Sequence, residues 1–270
     1  MSELQRLLEP AYTFLTRVPA GTALTAKARA SDLDQLARSA AKDHPLPIAR
    51  EVPQLIDHTI LKPEAAPADI ERLCQEARQA AFASVCVNSS HVERAARNLV
   101  GSGVKVSAVV GFPLGAAASL AKALETAAAI EDGALEIDMV LAIGLLRAAD
   151  YEAVAGDIAA VAAVAHAGGA PLKVIFENAL LTPAQQAAAC LLSVAAGAEF
   201  VKTSTGFGPS GAEEADVRRM RAIVGPQVGV KAAGGIRSRA DLERMVRAGA
   251  NRIGTSNGVK IMQEYARGQG

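Results

Sequence analysis

From about residue 52 the apolar and polar positions fall into a rhythm that repeats to the end of the chain. A short apolar run comes first, then a turn rich in glycine or polar residues, then a longer stretch with apolar residues three and four apart. Short apolar runs bounded by turn residues read as buried strands, and the 3.6-residue period reads as amphipathic helix. The first pair is a strand at 55–58 and a helix at 67–80, where Ile70, Leu73, Cys74 and Ala77 share a face. The rhythm then predicts strands at 84–87, 104–110, 135–140, 172–176, 200–203, 228–232 and 252–254. Helices are predicted at 90–100, 119–132, 151–167, 183–196, 212–224, 238–248 and 258–265, with Pro183 placed where a first turn tolerates proline.

Eight strand–helix units in about 215 residues is the count of a closed (β/α)8 TIM barrel, so the expected class is α/β. A doubly wound open sheet that binds dinucleotides carries Gly-x-Gly-x-x-Gly after its first strand. This chain has Asp57-His58-Thr59-Ile60-Leu61-Lys62-Pro63 there. The barrel is therefore expected over residues 51–270, preceded by a helical extension at 1–50. Within the extension, Ser31 caps a stripe of Leu33, Leu36, Ala37 and Ala40, and Pro45 and Pro47 end it. No residue of the extension points to chemistry; it is expected to pack on the barrel or on a neighbouring subunit.

Composition narrows the function more than the fold. With 28 basic and 28 acidic side chains in 270 residues, there is no electrostatic case for nucleic acid or an anionic membrane. No run of 18 uncharged apolar residues is present, and Glu3, Arg6 and Glu9 interrupt the start, so neither a membrane span nor a signal peptide is expected. Cys74, Cys86 and Cys190 are odd in number and far apart, which fits a reducing cytoplasm rather than a disulfide framework. Aromatics are 3% and Trp is absent, so the core falls to Val, Ile, Leu and Ala.

In such barrels the chemistry gathers at the carboxyl ends of the strands. Those ends offer Asp57 and His58, Asn88, Glu136 and Asp138, Glu177 and Asn178, Lys202, and Lys231. Lys202 and Lys231 fall near the ends of consecutive strands, which lie about 4.8 Å apart. Two ammonium groups about 5 Å apart at an effective dielectric of about 20 repel by roughly 3 kcal/mol. That corresponds to a pKa lowered by about 2.4, enough to raise the free-amine fraction about a hundredfold at pH 7. Free lysine amines form imines with carbonyl substrates. The bland alternative is two unrelated lysines on adjacent strands. Asp138 follows Glu136 by two and shares its face, either as an ion-pair partner or as a proton carrier. Gly234-Gly235 and the stretch from Gly254 to Gly258, with Ser256, follow strands 7 and 8. Barrels bind phosphate there, although tight turns also need glycine. The four histidines are scattered without ligand spacing, so no metal is expected.

These residues resemble the deoxyribose-phosphate aldolase family. The likeness is carried by Leu55-Ile56-Asp57-His58-Thr59-Ile60-Leu61-Lys62-Pro63-Glu64, Ala83-Ser84-Val85-Cys86-Val87-Asn88 and Glu136-Ile137-Asp138-Met139-Val140. It continues through Val201-Lys202-Thr203-Ser204-Thr205-Gly206-Phe207, Val230-Lys231-Ala232-Ala233-Gly234-Gly235-Ile236-Arg237 and Gly254-Thr255-Ser256-Asn257-Gly258. The resemblance implies that Lys202 forms a Schiff base while Asp138 and Lys231 move protons. It implies cleavage of 2-deoxy-D-ribose 5-phosphate to D-glyceraldehyde 3-phosphate and acetaldehyde, with no cofactor and no metal, in a homo-oligomer, a dimer by preference. Asp57, Cys86, Thr203, Gly206, Gly234, Gly235, Gly254, Ser256 and Asn257 are the implied contacts to substrate and phosphate. Asn257 stands where a second serine is common, and Phe176-Glu177-Asn178-Ala179 departs from the usual Glu-Thr or Glu-Cys. Some members of the family use a C-terminal tyrosine, and the resemblance does not match Tyr265 to it. Two alternatives remain on the residues alone: another lysine-imine barrel such as a transaldolase or keto-acid aldolase, or a non-catalytic sugar-phosphate-binding barrel.

Overall fold

Each apolar run closes against the next in register, in a computed structural model that describes residues 43–267. The strands are β1 Ile56–Thr59, β2 Ser84–Asn88, β3 Lys105–Val110, β4 Glu136–Val140, β5 Leu172–Ile175, β6 Phe200–Lys202, β7 Gly229–Ala233 and β8 Arg252–Thr255. They form a closed parallel barrel in chain order, β8 pairing back to β1 through Ile56 with Ile253 and Asp57 with Gly254. The expected (β/α)8 barrel is therefore the observed architecture.

The helices are α1 Pro67–Ala80, α2 Val92–Leu99, α3 Ser119–Glu131, α4 Ile143–Arg147, α5 Tyr151–Ala167, α6 Pro183–Ala195, α7 Glu214–Val224, α8 Arg239–Arg247 and α9 Gly258–Arg267. α1 and α5 have the bounds that the periodicity predicts. Most other limits move by one or two residues in either direction. The short helix α4 was not predicted, because five residues give too little periodicity to read. A 3-10 helix at Ala49–Leu55 crosses the expected extension boundary and buries Val52. The amide of His44 donates to the Arg247 carbonyl at 3.0 Å, and Asp43 meets Arg218 at 2.6 Å. The helix expected at 31–40 lies outside the described residues.

Alternation along the strands sorts the core. Ile137 and Met139 of β4, Val201 of β6, Val230 of β7 and Ile253 of β8 are fully buried and belong to the shell between strands and helices. Each such side chain contributes roughly 1.5–3 kcal/mol by leaving water. Lys122 of α3 is also buried in this shell; it donates to Asp157 of α5 at 2.6 Å and to the Val140 carbonyl at 3.0 Å. That contact ties two helices to the carboxyl end of β4. The α6 start is fixed by Thr182 and Gln185, each side chain accepting from the other's amide.

The opposite faces turn into the barrel. At its amino-terminal end Phe200 of β6 lies beside Gly229 of β7, and the Arg252 guanidinium stands 5.6 Å over the Phe200 ring. A Cβ on Gly229 would come within 2.1 Å of that ring. Gly229→Ala is therefore expected to destabilise the protein by about 1–3 kcal/mol, the cost of overpacking. An unchanged midpoint in urea unfolding would contradict this reading.

Candidate active site

Above Phe200 the barrel interior is filled by charge. Asp138 on β4 is fully buried and is the pivot. Its Oδ2 lies 2.8 Å from the Lys202 Nζ and 2.7 Å from the Lys231 Nζ, while its Oδ1 accepts from Lys173 at 2.7 Å and from the Ser107 hydroxyl at 3.0 Å. Lys231 also meets Asp57 Oδ2 at 2.5 Å. The other oxygen of Asp57 accepts from Arg252 and from the Ser84 hydroxyl, both at 2.6 Å. Arg252 reaches on to Glu136 at 3.1 Å, and Glu136 meets Lys173 at 2.7 Å.

Burial and pairing set the charge states. Burial works to raise the Asp138 carboxyl, but Lys173, Lys202 and Lys231 together hold it well below the usual carboxylate range. Burial likewise opposes the charge on Lys231, and the two carboxylates Asp138 and Asp57 outweigh it and push that ammonium up. Lys202 goes the other way. Burial is the largest influence and lowers it; Asp138 pulls it back up; Lys231 lowers it further. The lowering expected from sequence is present, and burial, which disfavours a cation on an inward strand face, is its leading cause. Like-charge repulsion by Lys231 ranks behind desolvation and is opposed by Asp138, because Lys231 shares the same carboxylate oxygen.

A cavity of about 820 Å³ opens over this cluster. Among the described residues, Lys202 is the only interior cation that lines it, and Lys202 itself is 2% exposed. Gly206, Gly234, Gly235, Gly254, Ser256 and Asn257 line the same cavity. Gly234 and Gly235 have φ of +87° and +78°, a left-handed pair that L side chains rarely adopt. The Asn257 amide donates to the Thr255 hydroxyl at 2.9 Å, which fixes the turn into α9.

Three expected substrate contacts do not reach the cavity wall. Asp57 is fully buried and spent on Lys231 and Arg252. Cys86 is fully buried, and burial pushes its thiol up. Thr203 is buried too: its hydroxyl donates to the Ala233 carbonyl and accepts from the Ala233 amide, both at 3.1 Å, stitching β6 to β7. Asp138 and Lys231 likewise stand behind Lys202 rather than beside open space. Tyr265 packs under Arg239, 4.5 Å from ring centre to guanidinium, and does not line the cavity. His58 does line it, with Nε2 held at 2.7 Å from Glu76 of α1.

Sequence reasoning passed over Lys173 and Arg252. The available signal for Lys173 was parity: within Leu172-Lys173-Val174-Ile175 it holds the position that faces inward beside Asp138. It also left Glu177 without a task. That residue has φ +55°, and its buried carboxylate accepts from the Thr205 amide at 3.3 Å and from the Thr205 hydroxyl. It thereby holds the loop after β6 against the cavity. Gly208 leaves room for it, since a Cβ there would lie 2.5 Å from the Glu177 carboxyl carbon.

The fold and site define a (β/α)8 enzyme with a buried lysine at the floor of its cavity, the arrangement on which lysine-dependent aldolases are built. The chain belongs to the DeoC/LacD family of aldolases, whose family model matches residues 52–264. It is 54% identical over 209 residues to the deoxyribose-phosphate aldolase of Lysinibacillus sphaericus, covering 77% of this chain and 93% of that one. To the deoxyribose-phosphate aldolase of Thermococcus kodakarensis it is 53% identical over 216 residues, 79% of this chain and 96% of the other. Among solved structures, the tetrameric deoxyribose phosphate aldolase of Aeropyrum pernix superposes with a TM-score of 0.77 at 33% identity, covering 88% of this chain and 99% of that chain.

Proposed function

We propose that the protein is a class I aldolase that reversibly cleaves 2-deoxy-D-ribose 5-phosphate to D-glyceraldehyde 3-phosphate and acetaldehyde. The observation that carries the reading is that Lys202, alone among the interior cations of the described residues, opens onto the cavity and has its ammonium form disfavoured. The neutral amine adds to the C1 aldehyde of the open-chain sugar, and loss of water gives an iminium. That iminium draws the electrons of the C2–C3 bond as it breaks. The C3 hydroxyl loses its proton and leaves as the new aldehyde, and the enamine takes a proton at C2. Hydrolysis then frees acetaldehyde and returns the amine.

The proton path runs through Asp138. One oxygen of that carboxylate lies within 2.8 Å of Lys202 and 2.7 Å of Lys231, so a proton held on Lys231 is two hydrogen bonds from the reacting nitrogen. We place the phosphate between the turn after β7, at Gly234 and Gly235, and Ser256 and Asn257, where backbone amides at the start of α9 favour an anion. Binding there supplies remote energy that registers the chain against Lys202. No step uses a cofactor.

The test is borohydride reduction in the presence of acetaldehyde and EDTA, followed by peptide mapping. An ethyl group on Lys202, with cleavage of deoxyribose 5-phosphate in the same buffer, supports the reading. Labelling nowhere points to a binding barrel without catalysis. Trapping with turnover only of longer ketose phosphates points to a transaldolase-like enzyme.

Assembly as a homo-oligomer belongs to the same reading, and the Aeropyrum relative is a tetramer. On α3, Leu120 and Leu124 are 70% and 62% exposed and one turn apart, a surface that a second copy would cover. The double substitution Leu120→Glu, Leu124→Glu is expected to lower the mass seen by light scattering; an unchanged mass would place the contact elsewhere. Among the described residues, no helix is long and apolar enough to cross a membrane.

A further inference from the structure

The charged side chains inside the barrel form a closed ring. Going round it, Asp138 meets Lys231 at 2.7 Å, Lys231 meets Asp57 at 2.5 Å and Asp57 meets Arg252 at 2.6 Å. Arg252 meets Glu136 at 3.1 Å, Glu136 meets Lys173 at 2.7 Å, and Lys173 returns to Asp138 at 2.7 Å. Signs alternate at every step. Three carboxylates (Asp57, Glu136 and Asp138) balance three cations (Lys173, Lys231 and Arg252), so the ring is neutral without Lys202. Lys202 hangs from it at Asp138 as a seventh charged group. Lys105 touches Glu136 from outside at 3.3 Å, but its side chain is 51% exposed and solvent screens it.

A surplus charge in a buried, otherwise balanced cluster is the one that is given up. What keeps the surplus on Lys202 is that every carboxylate oxygen facing inward already has a ring cation. Lys173 is the member that decides this for Asp138. It is fully buried, lines no part of the cavity and touches no reacting atom, yet it occupies Oδ1 of the carboxylate whose Oδ2 meets Lys202.

We propose that Lys173 is a positioning residue for the reaction. By closing the ring on Asp138 it leaves Lys202 as the member without a counter-charge, and so as the free amine. The proposal rests on the imine reading of Lys202 given above. The groups facing Lys202 are Asp138 from β4, Lys231 from β7 and Cys86 from β2; Lys173 from β5 and Asp57 from β1 stand directly behind them. Glu177, after β5, is engaged with Thr205, and His58 of β1 with Glu76. Within this set, removing a ring cation leaves a carboxylate free to hold Lys202 charged, and removing a ring carboxylate does the reverse.

The experiment measures borohydride trapping of acetaldehyde against pH in the wild type, Lys173→Met, Glu136→Gln and the double variant. Lys173→Met removes a positive charge, so the pH midpoint is expected to move up by about 1–2 pH units, and trapping at pH 7 to fall about 10- to 100-fold. Glu136→Gln removes a negative charge on the far side of the same ion pair, so its midpoint is expected to move down. The double variant keeps two carboxylates and two cations in balance and is expected to return toward the wild-type midpoint. A scaffold role alone would lower rates in all three without shifts of opposite sign. If Lys173→Met fails to fold, the downward shift of Glu136→Gln and the position of the double variant decide the matter. A wild-type midpoint in folded Lys173→Met or in Glu136→Gln, or shifts in the same direction, would overturn the proposal. Absence of trapping in the wild type would strike the imine reading itself, a result distinct from any of these.

Discussion

Lys202→Met is expected to bring cleavage of deoxyribose 5-phosphate down by at least about 10⁴-fold, because among the described residues no other buried amine lines the cavity to form the covalent intermediate. The same change is expected to leave the thermal midpoint where it was or to raise it. Lys202 is the unbalanced charge of a buried cluster, and replacing such a group by an apolar one of similar length removes a desolvation cost. Asp138 keeps Lys173 and Lys231 as partners in the variant. Activity assays and a melting curve check the two halves separately. A melting temperature several degrees lower would mean that the Lys202 ammonium is a needed member of the ion cluster, and the account of its neutrality would fall with it.

The second large effect is expected for Lys231→Leu. In the native structure Lys231 is the partner of both Asp57 and Asp138, and both carboxylates hold it protonated. Its loss leaves the interior with one carboxylate in excess, and Lys202 is the cation within reach. The Lys202 amine is then held as ammonium to a higher pH, so imine trapping at pH 7 is expected to drop about a hundredfold. The sign follows from the depressed position of Lys202 in the native protein: the free amine is lost as pH falls through its pKa, and a raised pKa moves that loss upward. The deficit therefore shrinks toward pH 9–10. Breaking a buried pair also costs roughly 3–5 kcal/mol, which denaturant unfolding will register. Lys231→Arg keeps the charge, so trapping suffers less, while turnover falls in both variants because arginine does not readily give up a proton. Trapping by folded Lys231→Leu at the wild-type rate and midpoint would confine Lys231 to proton transfer.

The barrel was legible because its strands are buried on both faces and its helices on one, so period alone separates them. Lys202 was legible because it ends an apolar run, where barrels place their chemistry, and Lys231 because a lysine interrupts the apolar run of the next strand. Lys173 and Arg252 escaped for opposite reasons. Lys173 sits second in a four-residue strand, with no break in the apolar pattern to mark it. Arg252 opens its strand, where an arginine ordinarily faces water. Lys173 acquires its role from the β4–β5 register, which sets it beside Asp138, and Arg252 from the closure of β8 onto β1, which brings it to Asp57. What the sequence did not show for Lys202 is the opposing pull of Asp138, which raises its pKa against burial and Lys231. A sequence reading weighs charges in pairs, whereas three lysines here divide one carboxylate.

A barrel interior packed with ions also responds to heat differently from one packed with valine and leucine. Hydration of charged groups is entropically unfavourable, so the penalty for keeping the ring away from water shrinks as temperature rises. Hydrophobic stabilisation per unit area levels off over the same range. On warming, the ring thus carries a growing share of what holds the eight strands together, while the shell of Val, Ile, Leu and Ala between strands and helices gains little. The residues that set the state of Lys202 are in this way also the ones on which the barrel leans most when it is hot.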